Sequence, residues 1–349
     1  MRSLRPCGFN IHGMAGKKPQ DIPFSILDLA PITEGNTAAT SFKNSLDLAQ
    51  RAEQLGYDRY WLAEHHNMDS VASSATAILI GYIASGTKTM RVGSGGIMLP
   101  NHAPLIVAEQ FGTLASLYPD RIDLGLGRAP GTDQLTSAAL RRGRIETAED
   151  FPSDIQALQQ FFSADNSNAK VRAIPGEGLN VPIWILGSST DSARLAALLG
   201  LPYAFASHFA PSQFLSAIEI YRRGFRPSQH LDTPYVMACV NVIAADTSAE
   251  AQYLSSSFLQ LLKGIVTGKR KPLPPPVTHI EDLLTDEVQA LIRQMMHYSF
   301  IGDAQKVLEE ITRFQMAAQV DEIMVTGHIY DHAARVHSYE LLKDAVRRG

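Results

Sequence analysis

Apolar positions along this chain switch repeatedly between a strand period and a helix period. Residues 22–30, IPFSILDLA, form a short β-rich run, and 41–56, SFKNSLDLAQRAEQLG, carry apolar residues at helical spacing up to a glycine stop. The alternation continues with a strand over 57–65, a helix over 75–86 and a strand over 90–100. A helix opened by Pro104 runs to 119, and a strand covers 121–127. A long polar stretch then leads to about residue 162, with helical spacing in ETAEDFPSDIQALQQFF. The second half repeats the scheme, with strands at 181–187, 203–207, 235–245 and 322–327. Its helices cover 189–200, 212–224, 248–264 and 303–318, and HAARVHSYELLKDAV closes the chain.

Eight strands, each followed by a helix, predict a (β/α)8 TIM barrel rather than an open doubly wound sheet. The segment 265–300 breaks the rhythm, and its KPLPPPV cannot lie inside a helix, so it reads as an insertion before the last helix–strand unit. Residues 1–20 are basic without a long apolar stretch, which suits a poorly ordered extension better than a secretory signal. Residues 21–349 then make a single barrel domain.

Composition narrows the function classes. Apolar residues are 45% of the chain, enough for a sizeable core, and a net charge of −4 gives no electrostatic reason to bind nucleic acid or an anionic membrane. The longest apolar runs are too short to span a bilayer. Cys7 and Cys239 make no disulfide framework, which fits a cytoplasmic protein, and Cys239 reads as a small core residue.

In a barrel of this kind chemistry sits at the C-terminal ends of the strands. The second predicted strand ends in Glu64-His65-His66. Side chains alternate along a strand, so the two histidines point apart and suit one metal ion poorly; no metal site is expected. One of them faces the mouth and the other the helical layer, unless both are hydrogen-bonded structural residues. The third strand carries Gly93, Gly95 and Gly96, which imply either a close approach to the backbone or a β-bulge. The fourth ends in GLGRAPG, which fails the dinucleotide fingerprint at Pro130 and leaves Arg128 as an anion contact. After the fifth, Gly187, Ser188, Ser189 and Thr190 run straight into a helix. Hydroxyls and free N–H groups at a helix start suit a phosphate, though ordinary capping explains one or two of them. The loops DLAPI, NHAP, SHFAP and TGHIYDH offer Asp28, His102, His208 and His328 as a lining for a modest organic substrate.

LAQRAEQLGYDRYWLAEHH, VGSGGIMLPNHAPLIVAEQFGTLASLYPDRIDLGLGRAPG and LGSSTDSARLAALLGLP, in this order, resemble the bacterial luciferase-like monooxygenases. The resemblance implies a TIM barrel that binds flavin mononucleotide (FMN), forms a homodimer and receives reduced flavin from a separate reductase. It implies further that His65 is the histidine needed for activity near the flavin. Gly95 and Gly96 match a pair joined by a cis peptide against the isoalloxazine. Arg128, Ser189 and Ser192 match phosphate contacts, and Ser188 matches a residue acting through its backbone. Gly127 stands where luciferase has a cysteine, and 265–300 does not match luciferase's long mobile loop, so light emission is not implied. The expected function is a flavin-dependent monooxygenase. Two alternatives are a deazaflavin (F420)-dependent hydride-transfer enzyme and a flavin-binding protein without catalysis.

Overall fold

The computed structural model describes residues 17–129, 131–141 and 150–349. Cys7, Pro130 and most of the expected N-terminal extension lie outside the described residues. The first half runs β1 (Phe24–Asp28), α1 (Ala38–Gln54), β2 (Arg59–Leu62), α2 (Thr76–Gly86), β3 (Arg91–Met98), α3 (Pro104–Leu117), β4 (Ile122–Gly127), α4 (Gln134–Arg141) and α5 (Asp150–Phe162). The second runs β5 (Ile183–Gly187), α6 (Thr190–Leu199), β6 (Tyr203–Phe205), α7 (Phe214–Gly224), β7 (Val236–Ala245), α8 (Ser248–Val266), α9 (Asp286–Met295), β8 (Ser299–Asp303), α10 (Ala304–Ala318), β9 (Glu322–Thr326) and α11 (His332–Arg348).

Strands β1 to β6 pair in parallel in chain order, β6 pairs with β7, β7 with β9, and β9 returns to β1. Eight parallel strands therefore close a barrel with helices between them, as the periodicity predicted. The ninth strand is a departure. β8 pairs with Asn241–Ala245, the half of β7 that β6 does not reach, since the β6 pairing ends at Ala238. The 265–300 insertion is thus partly ordered secondary structure. It holds α9, started by Thr285, whose side chain accepts from the Val288 N–H, with Asp286 and Glu287 in the first turn. The proline stretch lies outside any helix, as expected. The Leu273 N–H donates to the Ile32 carbonyl and the Glu34 N–H to the Leu273 carbonyl, which laces it to the loop after β1.

Strand alternation divides the core in two. Phe24, Ile26, Tyr60, Leu62, Leu124 and Val240 face the helices. Leu27, Trp61, Trp184, Met237, Cys239 and Met324 fill the barrel interior. Below them lies a charged layer. Arg59 donates to Asp123 and Glu322, Arg91 to Asp123, and the Tyr235 hydroxyl to Glu322. Each buried carboxylate meets several donors, which offsets the cost of its desolvation.

Trp61 explains part of the glycine-rich β3. A side chain at Gly93 would stand 2.9 Å from the Trp61 indole nitrogen, and one at Gly95 would stand 2.6 Å from Leu27. The close approach and the bulge are both present: the pairing of β3 with β4 shifts register between Gly95 and Ile97, and the Gly95–Gly96 peptide is cis.

Candidate functional site

β2 ends at Leu62, so Glu64, His65 and His66 lie just beyond it rather than in it. The Ala63 N–H still bonds to the Asp28 carbonyl, and the His65 N–H to that of Ser73, which carries the chain onward at the barrel's C-terminal end. Trp61 and Ala63 face inward. The register Leu62 to Ser94 sets the next residues of this segment beside Gly95 and Gly96.

Three histidines gather here. His65 follows β2, His208 follows β6 and His328 follows β9, and charge on His328 or His65 bears on His208. The Nδ1 atoms of His65 and His208 are buried and without a hydrogen-bond partner among the described residues. Phe258 of α8 stacks on His328 with ring centroids 4.7 Å apart. Burial lowers the pKa of His65; Glu64 opposes this, and the charges of Arg270, from the insertion, and His66 add smaller downward contributions. Next to His208, Phe209 lines an open cleft of about 380 Å³ with Val266, Leu291 and Met295.

His66 and His102 have a different place. Glu64 is buried, and its Oε1 accepts from His66 Nε2 and from His102 Nε2, both at 2.8 Å, while Oε2 accepts from the Met98 N–H at 3.0 Å. Burial would raise the Glu64 pKa, but the bonds from His102, His66 and Met98 outweigh it and hold the carboxylate low. Glu64 therefore ties the end of β2 to the end of β3, and His102 serves that tie.

Asp28 also sits apart from the mouth. It shares the helix-facing side of β1 with Phe24 and Ile26, and its carboxylate accepts from Ser45, Tyr60, Arg335 and the Ala30 N–H. Alternation puts Leu27, not Asp28, inside the barrel.

The anion candidates lie across β4 and β5. Arg128, just past β4, is exposed. Ser189 caps α6, its Oγ accepting from the Ser192 N–H. Ser192 Oγ donates to the Ser189 carbonyl and meets the Tyr203 hydroxyl at 3.0 Å, so this hydroxyl already has protein partners. Gly187 permits that packing, since a Cβ there would stand 2.1 Å from Ser192 Oγ. Gln213, which sequence reasoning passed over, accepts the Thr190 N–H at 3.0 Å. No group of three or more His, Cys, Asp or Glu is arranged to hold a metal ion among the described residues.

Burial first, and then the neighbouring His328 and His65, hold the His208 pKa down to about 3. Burial and Arg335 bring His328 to about 4. The unfolded chain, with histidines near 6.5, therefore binds protons in mild acid that the native chain does not. Stability should be complete above about pH 6.5 and fall by about 1.4 kcal/mol per pH unit per ring below it, until the folded values are reached. Urea denaturation at about pH 7 and about pH 5 measures this, and equal midpoints would contradict a neutral pair.

Residues 22–340 match the sequence profile of the luciferase-like monooxygenases. The chain belongs to the luciferase-like monooxygenase family. A luciferase-like monooxygenase of Escherichia coli (strain K12) is 51% identical over 323 residues, 93% of this chain and 96% of the relative. The N-acetyl-S-alkylcysteine monooxygenase of Bacillus subtilis (strain 168) is 34% identical over 93% of this chain and 98% of its own. The solved structure of apo-MsnO8 superposes with a TM-score of 0.83 at 34% identity, covering 93% of this chain and 98% of that one. The fold alone is shared with the oxygenating constituent of 3,6-diketocamphane monooxygenase from Pseudomonas putida, solved with FMN, at 19% identity and a TM-score of 0.71. It is likewise shared with an F420-dependent secondary alcohol dehydrogenase, at 15% identity and a TM-score of 0.68. In this luciferase-like monooxygenase no helix among the described residues is long and apolar enough to cross a membrane. Besides Gln213, the sequence reading missed His102 as a partner of Glu64 and missed Asn241 altogether. Asn241 had a signal, being the one carboxamide in the inward series Tyr235, Met237, Cys239, Asn241.

Proposed function

We propose that this luciferase-like monooxygenase takes reduced FMN from a separate reductase and uses it, with O2, to oxygenate a small organic substrate. One oxygen atom enters the substrate, the other leaves as water, and the reduced flavin supplies the two electrons. His65 carries the reading: a buried imidazole nitrogen without a protein partner lies just past the end of β2, the strand that pairs with the β3 carrying the Gly95–Gly96 cis peptide.

The residues present fit FMN. Arg128 and the Ser188–Thr190 turn at the start of the ten-residue α6 offer a cation, hydroxyls and a positive helix end to a phosphate dianion. Gln213 would give up the Thr190 N–H to it. FMN, when bound, supplies oxygen activation. The protein's own part is to orient, to exclude water and to manage protons. His65 stays neutral near pH 7, because burial lowers its pKa, and can hold or move a proton at Nδ1. The insertion, laced to Ile32 and Glu34, shields one side of the mouth. A homodimer accords with this reading.

The test supplies photoreduced FMN or reduced F420 with 18O2 and small thioether and ketone substrates. Substrate-dependent oxygen uptake with FMN and one 18O atom in the product is the expected result. Hydride transfer with F420 and no oxygen uptake, or FMN binding with no turnover on any substrate, would overturn it.

A further inference from the structure

Asn241 lies on the inward-facing series of β7, directly above Cys239, and is only 2% exposed. Its Nδ2 donates to the His208 carbonyl at 2.7 Å and to Ser299 Oγ at 3.0 Å. A carbonyl can only accept, so the amide cannot be turned the other way, and Oδ1 is the atom left over. That oxygen is buried and without a partner among the described residues. A buried acceptor with nothing to accept is uncommon and calls for a donor from outside the chain. In the closed ring of eight strands β7 stands four steps from β3, so Asn241 faces the Gly95–Gly96 pair across the barrel. His208, whose carbonyl Asn241 holds, and His65, whose charge bears on His208, each carry a buried Nδ1 without a partner among the described residues, on rings held neutral and able to offer an N–H.

We infer that Asn241 is a specificity-determining residue whose carboxamide oxygen accepts a hydrogen bond from the substrate, and that the substrate is an N-acylated amine. Such a molecule sets an amide N–H beside a carbonyl. The N–H answers Asn241 Oδ1, and the carbonyl answers an imidazole N–H of His208 or His65. A charged ammonium suits the site less well, since Arg270 lies near enough to bear on His65 and acidic side chains are spent elsewhere: Asp28 on Arg335, and Glu64 on His66 and His102. The Bacillus subtilis relative is named for substrates that carry such an amide. The inference rests on the reading of the mouth as a substrate site.

The experiment measures calorimetric binding of two probes to the FMN-loaded protein: N-acetyl-S-benzylcysteine and N-acetyl-N-methyl-S-benzylcysteine, whose methylated acetamide nitrogen has no N–H. Wild type should prefer the N–H probe by about 10- to 100-fold, the range a site built for a hydrogen bond gives against a ligand that leaves it unmade. The preference should shrink to about onefold in Asn241→Leu and persist in Ser299→Ala, which removes a contact of Nδ2 but spares Oδ1. Should Asn241→Leu fail to fold, Asn241→Gln, which displaces the acceptor, takes its place with the same expected loss. Equal binding of both probes by wild type, a preference that survives at position 241, or no binding of either probe would overturn the inference. FMN affinity, followed by flavin fluorescence, separates these results from a failure of the flavin reading: retained FMN binding with no probe preference strikes this inference alone.

Discussion

His65→Ala should lower turnover by about 10²- to 10⁴-fold while FMN affinity stays within about twofold, the signature of a lost proton-transfer group. The location of His65 is fixed by backbone, through its N–H to the Ser73 carbonyl at 3.1 Å, so removing the ring leaves the chain path intact. Nδ1 has no protein partner to orphan, so the unfolding midpoint should hardly move. The phosphate candidates lie on the β4 and β5 side, away from β2, and should keep their hold on the cofactor. Steady-state kinetics with photoreduced FMN, beside fluorescence titration of FMN, read the two effects separately. Full turnover in the variant would remove His65 from the chemistry; a joint loss of FMN binding and turnover would make it a cofactor ligand instead.

The largest stability effect is expected at Arg335. This guanidinium, 3% exposed, donates to Asp28 Oδ1 at 2.7 Å and to the Gly327 carbonyl at 3.2 Å. Burial alone would raise the Asp28 pKa; Arg335, Ser45 and Tyr60 outweigh it and hold the carboxyl below its usual value. Arg335→Met keeps the bulk and strands a buried carboxylate, at a cost of about 3–5 kcal/mol. Urea denaturation at neutral pH measures it, and a loss under about 1 kcal/mol would show the pair to be dispensable. Asp28→Asn combined with Arg335→Met should cost less than the two changes summed, because the stranded charge is gone. The folded pKa of Asp28 is depressed, so its contribution is present above the unfolded value of about 3.8 and is lost as pH falls through the folded one. The effect reaches the mouth as well, since Arg335 holds the carbonyl of Gly327, the residue before His328.

The barrel was legible because its signals are local and repeated. Helix stops such as Gly200, in the left-handed region, and caps such as Thr247 and Ser189 mark boundaries that tertiary contacts do not override. β8 was not legible. SFIGD is short, pairs with one neighbour only, and has the mixed burial of an edge, so it has neither the apolar run of a central strand nor a long alternation. α9 did carry a readable start in TDE, but the prolines upstream drew the whole segment into one irregular insertion. Among site residues, alternation only set His65 and His66 apart; the family resemblance singled out His65, which lies past the last residue of β2. The Glu64–His102 bond was not legible, because it joins two loops whose approach depends on the packing of β2 against β3. Asp28 was misplaced toward the mouth because a polar residue at a strand end reads as functional until its parity is checked against Leu27.

Ser299, the first residue of β8, shares Asn241 with the barrel wall. The added strand therefore helps hold the carboxamide in place. If β8 peels from β7, the carboxamide loses one of its two restraints and swings on the other, the His208 carbonyl. A strand outside the closed ring thus helps decide how firmly a group inside it is aimed.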